Sequence, residues 1–259
     1  MIKMPLKSKR IAAPLLMLLA AIFAMIMLRE CSHPRGNAFD VKAGHSLGDT
    51  LDVAIEMSRT CYAVRGDSVY GDAYEHLQAI SAKHGVPMKF HPFVPLSYAL
   101  SGLDDGAFDL VVGSMPATAE IRSRYLTTDP LLTDREVLVQ LRDTVPGAMV
   151  AKPSDLAGKE VWIASDSPFA TRLRNLASEI GDTIYVHSEP GYSSEYLVIL
   201  TAKGEIPRAV VNESLARKMQ EMYPEIDITV AVSFTQFQSW LLRGDRTGLR
   251  DSINSWIAD

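Results

Sequence analysis

Residues Leu103–Pro130 read LDDGAFDLVVGSMPATAEIRSRYLTTDP. Leu103, Gly106 and Asp109 mark a helix end and turn, and the apolar Leu110–Val112 that follows suits a short buried strand. A polar loop from Thr118 to Arg122 comes next, and Thr128-Asp129-Pro130 closes the stretch. The same alternation of strand and helix runs outward in both directions. Leu51–Ile55 predicts a strand, Asp72–His84 a helix with Leu77 and Ile80 on one face, Met88–Phe93 a strand and Leu96–Leu103 a short helix. A strand at Val137–Leu141 is followed by a break at Arg142–Ser154, which holds Pro146, Gly147 and Pro153. A second series then begins, with strands at Glu160–Ala164, Thr183–His187, Arg208–Val211 and Asp227–Val232 and helices at Pro168–Ile180, Ser193–Lys203 and Ser214–Met222. A last strand at Gln238–Leu242 and a helix at Thr247–Ile257 complete the order. Such alternation predicts an α/β fold with largely parallel sheets, and two similar series predict two lobes.

The N-terminus is of another kind. Lys3, Lys7, Lys9 and Arg10 precede an uncharged run of 18 residues, Ile11–Leu28. As a helix it would span roughly 27 Å, close to the hydrocarbon thickness of a bilayer. A cleaved signal, a lipoprotein signal ending at Cys31 and an uncleaved anchor compete for it. Arg29 and Glu30 do not suit the small residues expected before a lipidated cysteine, and no A-x-A site is present, which favours the anchor. The basic residues before the run place the remainder on the outer side of the inner membrane. His33–Asp49, with Pro34, Gly36, Gly44 and Gly48, reads as a tether. The expected organisation is a signal or anchor at 1–31, a tether at 32–49, lobe 1 at 50–137 and 235–259, and lobe 2 at 138–234.

The whole chain has a net charge of −5, and residues 32–259 carry 21 basic and 30 acidic side chains, net −9. That balance argues against nucleic acid or anionic lipid as a partner. Two cysteines, Cys31 and Cys61, make no disulfide framework; a single bridge and two free thiols are both open.

The stretch that begins at Leu103 resembles the signature of bacterial extracellular solute-binding proteins of family 3, in which "L-x-x-G-x-x-D", a buried strand, "T-P-E-R" and "F-S-D-P-Y" follow one another. Gly71–Ile80 follows the family's "G-F-D-V-D-L-A-x-A-I" frame, and Asp155–Val161 its "D-L-x-G-K-x-V" opening of the second lobe. The resemblance extends over Leu51–Ile257. Within the family the spacing is most similar to the N-terminal binding domain of membrane-bound lytic murein transglycosylase F, where an acidic turn like Arg243-Gly244-Asp245 also precedes the last helix. There a lysozyme-like catalytic domain follows the position at which this chain ends, so the resemblance implies the binding half without the enzymatic half. Members of the family also commonly add a helix after the position of Ile257, so a sequence that stops short is a further expectation.

This resemblance implies a two-lobed periplasmic-binding-protein type II fold with a ligand cleft between the lobes, crossed near Val137–Leu141 and Ile228–Phe234. It implies a small polar ligand such as an amino acid, a small peptide or a peptidoglycan fragment. An ABC permease or a cell-wall enzyme is the protein partner it suggests, and the second of these corresponds to a non-catalytic interaction subunit.

Candidate ligand-binding residues follow position by position. Arg122, with Thr118 beside it, is the nearest counterpart of the carboxylate-binding arginine, although the frame puts Ile121 there; a guanidinium displaced by one residue and a solvated arginine both remain open. Ser165 and Ser167 flank Asp166 before a helix that starts near Pro168, where free N–H groups can hold an anion or a serine can cap the helix. Asn212 and Glu213 stand where the family has a carboxylate for a ligand ammonium, and Glu213 equally suits the first turn of a helix. Tyr62 and Tyr70, and similarly Phe93, are placed to wall a cleft or to pack. Trp240 reads as core.

Nothing in the sequence calls for catalysis or a cofactor. The six histidines have no metal-binding spacing, and no G-x-S-x-G, Walker or G-x-G-x-x-G motif is present.

Overall fold

The computed structural model describes residues 50–142 and 149–259. The apolar run at residues 11–28, Cys31 and the tether all lie outside the described residues. Among the described residues no helix is long and apolar enough to cross a membrane.

Two five-stranded sheets organise the chain. The first has the order β4-β1-β5-β14-β6, from β1 (Leu51–Glu56), β4 (Met88–Phe93), β5 (Leu110–Val112), β6 (Tyr125–Thr127) and β14 (Leu241–Arg243). β1 runs parallel to both β4 and β5, and β14 returns antiparallel between β5 and β6. The second has the order β10-β9-β11-β8-β12, from β8 (Glu136–Leu141), β9 (Glu160–Trp162), β10 (Tyr185–His187), β11 (Arg208–Asn212) and β12 (Ile226–Asp227). β9 is parallel to β10 and β11, and β8 is antiparallel to β11 and β12.

Both faces of each sheet are covered, so the central strands are apolar without strict alternation. Leu51, Val53 and Ile55 pack with Leu77 and Ile80 of α1 (Asp72–His84) and with Leu249 and Ile253 of α7 (Thr247–Ala258). Ala54, Val111 and Leu241 face the other way, onto Ala99 and Leu103 of α2 (Leu96–Asp104). In the second sheet Leu138, Val161 and Val210 meet α4 (Phe169–Ile180). Val137, Val139 and Val211 on its other face meet Val198 of α5 (Ser194–Ala202) and Leu215 and Met219 of α6 (Glu213–Gln220). Trp240 is buried in the first of these cores, as its sequence position suggests.

The chain passes between the sheets twice, and the two passes pair with each other. β7 (Leu132–Asp134) leads from β6 to β8, β13 (Gln236–Gln238) leads from β12 back to β14, and they form an antiparallel ribbon. The expected crossovers are therefore displaced. Val137–Leu141 lies inside the second sheet, because its apolar side chains serve both faces of that sheet, and Ala231 bridges to Val137 rather than leaving it. A hairpin of β2 (Ala63–Arg65) and β3 (Ser68–Tyr70) precedes α1.

α1 starts against this loop without a side-chain cap. The N–H groups of Ala73 and Tyr74 donate instead to the carbonyls of Thr60 and Cys61, at 3.2 and 3.0 Å. That approach leaves no room at Gly71, whose φ is +138° and where a Cβ would lie 2.3 Å from the Cys61 carbonyl oxygen. Gly71→Ala should therefore destabilise the protein by roughly 2–4 kcal/mol in urea unfolding. An unchanged midpoint would mean that the loop is not pinned there.

Glu136 sits where the chain enters β8, buried against the return pass: its N–H donates to Ser233 Oγ at 2.9 Å and its carbonyl accepts from Val232 N–H at 2.8 Å. The side chain is 3 % exposed, and Oε2 has no hydrogen-bond partner. Burial pushes its pKa up to about 7, against the opposing pull of Arg172 and Gln236. The folded form thus holds this proton more tightly than the unfolded chain, and its stabilising effect is lost as pH rises from about 4.5 to about 7. Glu136→Gln should flatten the fall in stability across that window, as read by urea unfolding at several pH values; parallel profiles for the two proteins would contradict it.

Candidate functional site

The C-terminal ends of β1 and β5 in the first half face those of β9 and β11 in the second. A cavity of about 50 Å³ lies between them, lined by Glu56, Phe93, Ser114, Ser165, Ser167 and Asn212 among others. Glu56 ends β1. Its Oε2 accepts from the Ser114 N–H at 2.9 Å and lies 3.9 Å from the Cys61 thiol. Burial raises the Glu56 pKa, and the Ser114 and Cys61 hydrogen bonds offset this only in part. It is the one ionisable side chain among the described residues that line the cavity.

Four contacts tie the halves together around this space. Asn212 Nδ2 donates to the Ser114 carbonyl at 2.7 Å, and Ser97 Oγ donates to Asp166 Oδ2 at 2.6 Å. Arg59 grips Glu195 with its Nε at 2.8 Å and its backbone N–H at 3.2 Å. On the far side Lys218 Nζ reaches both oxygens of Asp72, at 2.7 and 2.8 Å.

The structure brings three of the eight expected site residues to the cavity: Ser165, Ser167 and Asn212. Ser167 Oγ also accepts from the N–H of Phe169, the first residue of α4, at 3.2 Å. The serine that serves the helix start thus also lines the cavity. Asp166 takes a φ of +59°, a strained value for a non-glycine residue, and turns its carboxylate to Ser97.

The other five do not line the cavity. Glu213 is taken up by Arg135, in a bidentate pair at 2.7 and 3.0 Å, and by Arg217. The Arg135 hydrogen bond outweighs the opposing effect of desolvation and holds its pKa below the ordinary range. Thr118–Arg122 is not a loop: Thr118 Oγ1 accepts from the Ile121 N–H at 3.2 Å and caps the short helix α3 (Ala119–Arg124). Ile121 is half-buried and packs against the core, and Arg122 is exposed. Tyr62 stacks edge-on against Tyr74, with ring centroids 5.4 Å apart. Tyr70 lies under the Arg65 guanidinium at 5.6 Å.

Sequence reasoning missed Glu56 and Ser114. The available signal was an acidic residue closing a buried strand at its C-terminal end, the place where α/β proteins bind ligands. Among the described residues no group of three or more His, Cys, Asp or Glu side chains could hold a metal ion.

The sequence pattern of the bacterial extracellular solute-binding proteins, family 3, matches residues 51–259. The chain belongs to this family. Among solved structures, its fold is similar to that of an ancestral arginine-binding protein bound to arginine, with a TM-score of 0.70 and 18% identity over 82% of this chain and 92% of that one. The holo arginine-binding protein of T. maritima gives 0.68 and 19% over 81% and 89%. Curated relatives of this family 3 protein are membrane-bound lytic murein transglycosylases F. The protein from Shewanella pealeana is 24% identical over 178 residues, 69% of this chain and 36% of that one. The protein from Desulfosudis oleivorans is 26% identical over 207 residues, 79% and 44%. The chain thus spans less than half the length of these relatives.

Cys61 is a free, buried thiol beside Glu56. Burial, reinforced by the charge of Glu56, pushes its pKa up to about 12. In a Cys31→Ser background it should react with iodoacetamide at pH 8 about a hundredfold or more slowly in the folded protein than in urea. Equal rates by mass spectrometry would place the thiol in solvent.

Proposed function

We propose that this chain is an extracytoplasmic solute-binding protein whose two lobes, built on the two sheets, close over a small polar ligand carrying a cationic group. The observation that supports this most directly is Glu56: a desolvated carboxylate at the end of β1, fixed by the Ser114 N–H and turned to the space between the lobes. An ammonium or guanidinium placed there would replace lost hydration with a charge-assisted pair. Asn212, Ser165 and Ser167 supply neutral polar contacts from the second lobe. No guanidinium or ammonium of the protein lines the cavity among the described residues, so a free α-carboxylate would rely on backbone N–H groups and hydroxyls. Within the ligand classes implied by the family, Glu56 favours basic amino acids and cationic peptide fragments, and the lack of a facing cation favours those whose acidic end is masked.

A cavity of about 50 Å³ has room for only one or two water molecules, so the lobes must part to admit such a ligand. That small volume supports a second reading, in which the chain is a non-catalytic interaction subunit of a cell-wall enzyme. Thermal-shift measurements on the full chain with amines, basic amino acids, dipeptides and muropeptides separate the two. A ligand at about 100 times its Kd adds about 2.7 kcal/mol and should raise Tm by roughly 5–10 °C, and Glu56→Gln should cut affinity at least tenfold. A shift that survives Glu56→Gln would overturn the cationic assignment. No shift with any compound would favour the interaction subunit.

A further inference from the structure

We propose that Arg59 and Glu195 are specificity-determining residues: Glu195 fills the carboxylate cradle that the loop after β1 presents, and so selects against ligands with a free acidic end. The inference rests on the cationic-ligand reading above and names the residues that would enforce its preference for a masked acid.

The loop is stitched to its own base. The Cys61 and Tyr62 N–H groups donate to the Ser58 carbonyl at 3.2 and 2.9 Å, and the Ser58 and Thr60 hydroxyls lie 3.0 Å apart. Arg59 stands between them and offers two donors, its Nε and its own backbone N–H, which meet Oε1 and Oε2 of Glu195 at 2.8 and 3.2 Å. A charged donor beside a backbone N–H is a receptor for any carboxylate, whether from the protein or from a ligand. The two side chains keep 25% and 21% of their surface, so the cradle is within reach of a ligand. On the other lobe Glu195 lies in the first turn of α5, whose start is fixed by Ser193 Oγ accepting from the Tyr196 N–H at 3.1 Å. Ser194, next to it, lines the cavity beside Glu56. A second cavity of about 450 Å³ is lined by Thr60, Cys61 and Ser114, but by neither Arg59 nor Glu195. The pair therefore belongs with the space faced by Glu56.

A ligand that places its cation at Glu56 and also carries a free carboxylate meets an occupied cradle. If its acid takes Arg59, Glu195 loses both donors and faces a like charge. If Arg59 stays with Glu195, the ligand's acid has no cation among the described residues that line the cavity. Either arrangement binds less tightly than the amide of the same compound, and the first also breaks a contact that joins the lobes. Discrimination is in this way tied to closure.

The test is calorimetric titration of the full chain with L-lysine and L-lysinamide, in roughly 0.5 M NaCl, where a Debye length of about 4 Å screens all but direct charge contacts. The parent chain should bind lysinamide at least threefold more tightly than lysine. Glu195→Ala empties the cradle, so lysine should gain on lysinamide by at least threefold. Adding Arg59→Ala to that variant removes the guanidinium, and at least half of the gain should be lost. The proposal is overturned if the parent chain binds lysine as tightly as lysinamide, if Glu195→Ala leaves the ratio of the two affinities unchanged, or if the gain survives in the double variant. Binding of both compounds with any of these results would leave the cationic-ligand reading standing. Binding of neither compound to any of the three chains would overturn that reading and this inference with it.

Discussion

The peptide unit at Ser114 is the point on which the two halves of the molecule depend. Its N–H holds the Glu56 carboxylate, and the residue's carbonyl receives the Asn212 amide from the opposite sheet. One residue therefore fixes the acidic end of β1, joins the sheets across the cleft and forms part of the wall of both cavities. Gly113 before it is equally constrained, since a Cβ there would lie 3.0 Å from a Glu56 carboxylate oxygen. Small residues after β5 are thus a packing requirement of the buried acid.

The contacts that close the cleft are of a different kind. Arg59–Glu195 is partly exposed, and Lys218–Asp72 is largely in solvent. Pairs of this sort contribute about 0.2–1 kcal/mol each. Their sum is modest beside the binding energy of a micromolar ligand, about 8 kcal/mol. The cores of the two sheets are well buried and these surface pairs are weak, a division that suits the lobe closure proposed above.

How much of this was legible in the sequence depends on whether the deciding contact is local. Asp72–His84 and Met88–Phe93 coincide with the expected elements, because periodicity and a terminal glycine are local signals. Thr118–Arg122 reads as a polar loop, yet one hydroxyl capping Ile121 turns it into a helix and sends Ile121, not Arg122, inward. Asn212 and Glu213 are neighbours that the sequence cannot rank. Arg135, brought beside them by the antiparallel pairing of β8 and β11, takes Glu213 and leaves Asn212 to the cleft. Glu56 has no motif around it, and its role emerges only when β5 places the Ser114 N–H next to it.

The paired passes of β7 and β13 set the kind of motion that is available. Two independent tethers would let the halves slide, shear and rotate separately. Here three cross-strand pairs, Asp134 with Gln236, Thr133 with Phe237 and Leu132 with Gln238, lock the tethers into one strip. Such a strip behaves as a leaf spring: it bends and twists along its length and resists stretching. The approach of the halves then reduces to nearly a single coordinate, and one distance across the cleft is enough to describe it.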